Sequence, residues 1–200
     1  MSGTDPNIVR MYKTDDAGAL VFREAWVEAG EADGDASWFV VNHGAVGHQS
    51  TSKDAEVDTV EEALGMLAAF TEQCHADGYA ELSRAEQFTV VAQFALKNAK
   101  AGERDKYLEE KAREALTAHL AWRGSGVVEK SEFVAGPHST GKLNIYILAP
   151  EPARAVANVK TCIREEKLDF TKLSIGVAPA GDLSAIKARH SPTGGTAFSL

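Results

Sequence analysis

Two hundred residues, 44% hydrophobic and 25% charged, have the proportions of a soluble globular protein with room for one large domain or two small ones. No apolar run approaches the ~18–20 residues needed to cross a bilayer, which excludes a helical membrane protein. The formal charge of −8 is unevenly shared, with 7 Lys+Arg against 17 Asp+Glu in residues 1–100 and 14 against 12 in residues 101–200. An acidic first half repels a phosphate backbone at long range, so charge favours a protein or small-molecule partner.

The opening stretch MSGTDPNIVRMYK lacks the basic start and apolar core of a signal peptide, and the expected location is cytoplasmic. Ile8 to Lys13 reads as a short strand. Asp15 to Gly18 is turn chemistry, and Ala19 to Ala29 reads as a strand of imperfect alternation. Residues 30–35, GEADGD, form an acidic hairpin loop. Trp38 to Asn42 is the next strand. His43-Gly44-Ala45-Val46-Gly47 turns the chain, its glycines supplying positive φ or close backbone approach. His48 to Lys53 returns as a polar edge strand.

Asp58 is the predicted start of a helix, with Glu61 completing a capping box. Val60, Ala63, Leu64, Leu67, Ala68, Thr71 and Cys74 repeat at three and four to make an apolar stripe, widened by Met66 and Phe70. Gly78 stops the helix, and Tyr79 follows. Phe88 to Leu96 reads as a strand, with a helix as the alternative, and Asn98 to Gly102 as the linker between two halves. Glu103 to Arg123 is a second helix buried through Leu108, Ala112, Ala115, Leu116, His119 and Leu120, and flanked by Tyr107 and Trp122. Val127 to Ala135 is a strand, residues 136–141 a loop, and Leu143 to Leu148 a buried strand. Pro150 to Glu166 is a helix with Pro152 in its first turn and Ala155, Val156, Val159, Cys162 and Ile163 inward. Leu173 to Val177 is a strand, and residues 179–200 read as an irregular tail. The fold class is α+β: two small units, each an antiparallel sheet packed by helices, at residues 1–100 and 101–200.

Residues 19–97 resemble a WGR domain. That family has a strand ending in Trp-Gly-Arg-hydrophobic-Gly, a polar strand with Gly-Gln, a helix opening near Leu-Glu-Glu-Ala, and a closing Gly-Tyr. The matching residues are His43-Gly44-Ala45-Val46-Gly47, His48-Gln49, Val60-Glu61-Glu62-Ala63, Phe70 and Gly78-Tyr79. The resemblance implies a non-catalytic binding module associated with nucleic acid. His43 stands for the motif's Trp and Ala45 for its Arg, which removes a phosphate partner. The second half is similar to small β-β-α-β domains of uncharacterised bacterial proteins, some of them toxin immunity proteins.

Chemistry-bearing patterns are few. Gly136 to Leu143 approaches the phosphate-loop pattern, but Leu143 stands where the Mg²⁺-binding hydroxyl belongs and a strand follows where a helix is required. No histidine or cysteine pair has chelating spacing, and adjacent Cys74 and His75 diverge by about 100° on a helix. Both thiols fall on apolar helix faces, where they pack as small hydrophobes. Paired carboxylates such as Glu109-Glu110 read as solvated faces, supported by Glu109 to Arg113. Trp26, Trp38 and Trp122 read as packing residues.

The sequence therefore predicts no catalytic or metal site and no cofactor. It predicts a binding or regulatory protein acting through a protein partner, a basic one for choice. Weak nucleic-acid binding and an immunity-type inhibitor are the alternatives. The binding residues predicted are His43, Gly44, Val46, Gly47, His48, Gln49 and Lys53, at a loop on a rigid scaffold.

Overall fold

The computed structural model describes residues 8–30, 36–136 and 140–200. The chain is α+β and divides into two units, Met1–Leu82 and Ser83–Leu200. The acidic loop at 31–35 and the tip of the loop at 137–139 lie outside the described residues.

The first unit is an antiparallel meander of β1 (Ile8–Thr14), β2 (Leu20–Glu28), β3 (Ser37–Ala45) and β4 (Thr51–Val57), in that order across the sheet, followed by helix α1 (Val60–Ala76). Strand parity decides which side chains meet the helix. Ala25, Val27, Phe39 and Val57 pack with Ala63 and Leu67, while Val9, Val41, Met66 and Phe70 close the margin. Phe39 and Phe70 meet edge to face at 6.3 Å. Leu64 and Ala68 belong to the sequence-predicted stripe but are exposed, because the helix turns its face through Val60, Ala63, Leu67, Phe70 and Cys74 instead.

Thr59, one residue past the predicted cap, is the N-cap, and its hydroxyl accepts the Glu62 N–H at 3.1 Å. At the far end Gly78, at φ +83, carries a Schellman pair: its N–H bonds the His75 carbonyl at 3.0 Å, and the Tyr79 N–H bonds the Cys74 carbonyl at 2.9 Å. The chain then runs back to β1, where Tyr12 and Ala80 exchange both backbone bonds.

The second unit runs β5 (Phe88–Leu96), α2 (Glu103–Ala121), β6 (Val127–Ala135), β7 (Gly141–Ala149), α3 (Pro152–Glu165), β8 (Leu173–Pro179) and β9 (Lys187–His190). Its sheet order is β6-β7-β5-β8-β9, antiparallel throughout. The β-α-β-β-α-β sequence with the first strand central is the split β-α-β, ferredoxin-like plan, extended here by β9. Val90, Ala92 and Phe94 of β5, Leu143, Ile145 and Ile147 of β7 and Leu173 and Ile175 of β8 share one face with Leu116 and Leu120 of α2 and Val159 and Ile163 of α3. Each of these side chains is fully buried, worth about 1.5–3 kcal/mol apiece for the larger ones.

Two organisational expectations change. The division precedes β5 and does not fall at residue 100, because β5 is hydrogen-bonded on both sides to strands of the second sheet. The sequence-predicted tail from residue 179 contains a short 3-10 turn at Leu183–Ala185 and the edge strand β9. Lys187–His190 shows no apolar alternation because an edge strand needs none.

Candidate functional site

The sequence-predicted binding turn is redistributed. His43 and Gly44 lie within β3, where His43 pairs Arg23 and Thr51 and Gly44 pairs Phe22. The turn itself is Ala45–His48, closed by the His48 N–H on the Ala45 carbonyl at 3.1 Å, with Gly47 at φ +88 as its third residue. Gly44 has an extended backbone; its missing Cβ would lie 3.3 Å from the Ser50 Cα, so glycine admits the returning chain. Val46 is 2% exposed and packs with Tyr12 and Phe22, which makes it a core residue. His43, His48, Gln49 and Lys53 are exposed, and β4 begins at Thr51, three residues beyond the expected start.

Next to this turn, β1 and β2 hold the end of α1. The Arg23 guanidinium pairs with the Asp77 carboxylate and lies 4.4 Å above the Tyr79 ring. Lys13 Nζ donates to the Asp77 carbonyl at 2.8 Å, and Gln73 Nε2 to Asp77 Oδ1 at 2.9 Å. Hydrogen bonds from Arg23 and Gln73 hold the Asp77 carboxyl below its usual range. The cluster fastens a helix C-terminus, so the Gly78-Tyr79 pair has a structural account of its own.

The groups that sequence reasoning missed lie on the helix-free face of each sheet. In the first unit, cross-strand register places Arg10, Glu24, Asn42 and Ser52 in one row over β1 to β4. Arg10 and Glu24 form an ion pair whose side chains are only 15% and 6% exposed. Asn42 is 1% exposed, and its Oδ1 receives no hydrogen bond. In the second unit, Glu132, Asn144, Gln93 and Ser174 form a row over β6, β7, β5 and β8. Gln93 Nε2 donates to Asn144 Oδ1 at 2.9 Å and to the Ser199 carbonyl at 2.9 Å. Lys142 Nζ reaches the same carbonyl at 2.6 Å and the Ser199 hydroxyl at 2.8 Å.

Asn144 is fully buried, and its Nδ2 meets no acceptor at hydrogen-bonding geometry, although it lies near enough to the Tyr146 hydroxyl to favour the phenolate slightly. Burial, and then the Glu132 carboxylate that accepts its proton, push the Tyr146 hydroxyl up to about 12. It therefore stays a donor at neutral pH, with Lys130 Nζ 4.4 Å over its ring.

Other reactive groups are quiet. Burial raises the Cys74 thiol, and burial with Glu166 and Glu165 pushes Cys162 up to about 12, so neither is a ready thiolate. Among the described residues no three His, Cys, Asp or Glu side chains converge to hold a metal ion. Burial keeps the His119 and His190 imidazoles below their usual pKa. A cavity of about 610 Å³ beside the start of α2 is lined by Lys97, Arg104, Lys167 and Lys172 among others. Asp105 accepts the Gly102 N–H there at 2.9 Å, and Asp169 pairs Lys172 at 3.0 Å.

No described helix is long and apolar enough to cross a membrane. No family model, curated protein or solved structure matches the chain. The edge strand β4 carries exposed carboxylates, and in the second unit the buried Gln93 amide donates to a main-chain carbonyl.

Proposed function

We propose that the protein acts by binding a protein partner of basic charge through its first unit, as a regulator or, where the partner is an enzyme, as an inhibitor. One observation carries this reading. Residues 1–82 hold 4 Lys+Arg and 16 Asp+Glu, a balance of −12, while residues 83–200 hold 17 and 13, a balance of +4. Three of the four cations are engaged inside the unit: Arg10 with Glu24, Arg23 with Asp77, and Lys13 with the Asp77 carbonyl.

Along β4 and into α1, by contrast, Asp54, Glu56, Asp58, Glu61 and Glu62 are exposed and make no ion pair among the described residues. β4 is an edge strand, whose outer backbone groups can pair an added strand while its carboxylates steer a basic one. Titration of the protein against basic proteins at two salt concentrations tests it. Binding should weaken with salt and fall by about tenfold or more in an Asp54→Lys/Glu56→Lys variant, whose changes touch only exposed side chains. Binding that ignores salt and charge reversal would sink the proposal.

A second reading, nucleic-acid binding, draws on the WGR resemblance and on one feature of the second unit. Arg164 lies 4.0 Å over the Phe170 ring, which stacks on His190 at 4.9 Å, and Lys160 is close enough to lower the His190 pKa. Cations interleaved with rings suit a single strand. Fluorescent DNA and RNA at low and moderate salt separate the sources. Sensitivity to His43→Ala supports the WGR-type turn, and sensitivity to Arg164→Ala supports the stack. Absence of binding at low salt removes both.

A further inference from the structure

The helix-free face of the second sheet already holds a peptide segment. Residues after His190 cross it, and Ser199 presents its carbonyl to two donors on neighbouring strands, Gln93 and Lys142. One residue earlier, the Phe198 ring fills a slot made by a missing side chain: a Cβ on Gly176 would lie 2.7 Å from that ring. Gly176 does not have a positive φ, so its backbone does not call for glycine, and what glycine supplies is room for the ring and for the Ile186 Cδ1, which would lie 2.9 Å from the same Cβ. In the same row as Gln93, Asn144 keeps a buried Nδ2 donor that meets no acceptor at hydrogen-bonding geometry.

The segment itself is lightly held. Among the described residues, 191–200 make one main-chain to main-chain hydrogen bond, Gly194 N–H to the Ser191 carbonyl, and it is local. Residues 192–197 are exposed. A segment fixed by side chains and one ring, without strand pairing, belongs to the low-stability end of a fold.

We infer that this face is a binding site for an extended peptide segment of a partner protein, an aromatic residue followed by a small hydroxyl residue, and that residues 196–200 occupy it in cis as a built-in competitor. The cis segment shows the chemistry the site accepts: a ring at Gly176, then a carbonyl between Gln93 and Lys142. It is also an incomplete occupant, because it leaves Asn144 Nδ2 idle. A partner segment that adds an acceptor there replaces it. The site lies wholly in the second unit, so its fate is independent of the acidic surface of the first.

The test uses the full-length chain and a fluorescent peptide, acetyl-Thr-Ala-Phe-Ser-Leu-amide, followed by anisotropy. Phe198→Ala frees the slot, and the peptide should then bind about tenfold more tightly than to the unaltered chain, because a tethered competitor has been removed. Gln93→Ala or Gly176→Val, placed in the Phe198→Ala chain, should abolish that gain, and a peptide with Ala in place of Phe should not bind. Thermal unfolding of each variant accompanies the titrations. No binding to a folded Phe198→Ala chain up to about 1 mM peptide overturns the proposal. So does binding indifferent to Gln93 and Gly176. A Phe198→Ala chain without a cooperative transition overturns it as well, since the segment is then part of the fold and not exchangeable. A concentration-dependent dimer lost with Phe198→Ala would replace the partner by a second copy of this chain.

Discussion

The two helix-free sheet faces solve one problem in opposite ways. Each carries a polar row over four strands, Arg10–Glu24–Asn42–Ser52 in the first unit and Glu132–Asn144–Gln93–Ser174 in the second. The first row answers a buried cation with a buried anion from the next strand. The second has amides at its centre, and one of them bonds sideways to its neighbour and outward to the carbonyl of another segment. A buried charge needs its partner fixed in place, so Arg10 and Glu24 are closed on each other. An amide has donors and acceptors to spare, so the second row can serve a visitor. The difference lies in what each row already bonds: an amide of the second donates to the carbonyl of another segment, whereas the ion pair of the first bonds within its own sheet.

The sharpest way to break this contrast is to remove Glu24. Glu24→Ala leaves Arg10 buried without its carboxylate, and the expected loss is about 3–5 kcal/mol of first-unit stability. Urea unfolding followed by fluorescence reads it, since Trp26 and Trp38 both lie in this unit. An Arg10→Met/Glu24→Leu double variant should recover most of the loss, because it takes away both charges together. A Glu24→Ala cost under about 1 kcal/mol, the range of a surface pair, would show that the first row is solvated and the contrast false.

The same operation on the second row should cost less. Asn144→Ala removes the acceptor of Gln93 Nε2 and opens a small void beside it, with an expected loss of about 1–3 kcal/mol. Trp122 reports this unit. Asn144→Leu is the sharper variant. It discards the idle Nδ2 along with the used Oδ1, and Gln93 retains the Ser199 carbonyl, so its cost should be the smaller of the two. If both variants cost as much as Glu24→Ala, the amide row is as rigidly committed as the ionic one.

How much of this could be read in the sequence follows the range of the interactions. The end of α1 was legible because Gly78 and Tyr79 act within one turn of the helix. The parity of Leu143, Ile145 and Ile147 identified a buried strand for the same local reason. The polar rows were not legible, because Glu132, Asn144, Gln93 and Ser174 become neighbours only through the order β6-β7-β5-β8. Gln93 within an apolar strand and Asn144 alternating with Leu143 and Ile145 were the available signals, and a polar residue on the second face of a strand reads simply as solvent-facing. The unit boundary was misplaced for a related reason: the Asn98 to Gly102 stretch has linker composition, but β5 before it pairs with strands up to 91 residues later. Of the predicted binding residues, Val46 was misread because a hydrophobe in a turn motif gives no sign of which core it enters. His43, His48, Gln49 and Lys53 are exposed.

Neither row contains a histidine, which permits a last and smaller test. The groups that titrate near neutrality with a clear shift lie in the helical layer and at the edge of the second unit. His119 on α2 is depressed by burial and by Arg123, against the opposing pull of Glu165, the last residue of α3, and Glu166, its C-cap, with Glu165 Oε2 at 3.6 Å from Nδ1. His190 is depressed by burial and by Lys160 and Arg164. A histidine with a lowered folded pKa takes up its proton more readily when unfolded, so stability is full above the ordinary value of 6.5 and declines as pH falls below it. The carboxyls with lowered values, Asp77, Asp169, Asp182, Glu86 and Glu114, hold their contribution above the ordinary 3.8 and 4.5 and lose it only as pH falls below those values. Between about pH 8 and about pH 5.5 the imidazoles are thus isolated. The unfolding temperature of the second unit, followed by Trp122, should drop across that window. His119→Gln should lessen the drop, and His119→Gln/His190→Gln should flatten it. A drop that survives the double substitution would show that neither histidine is its source.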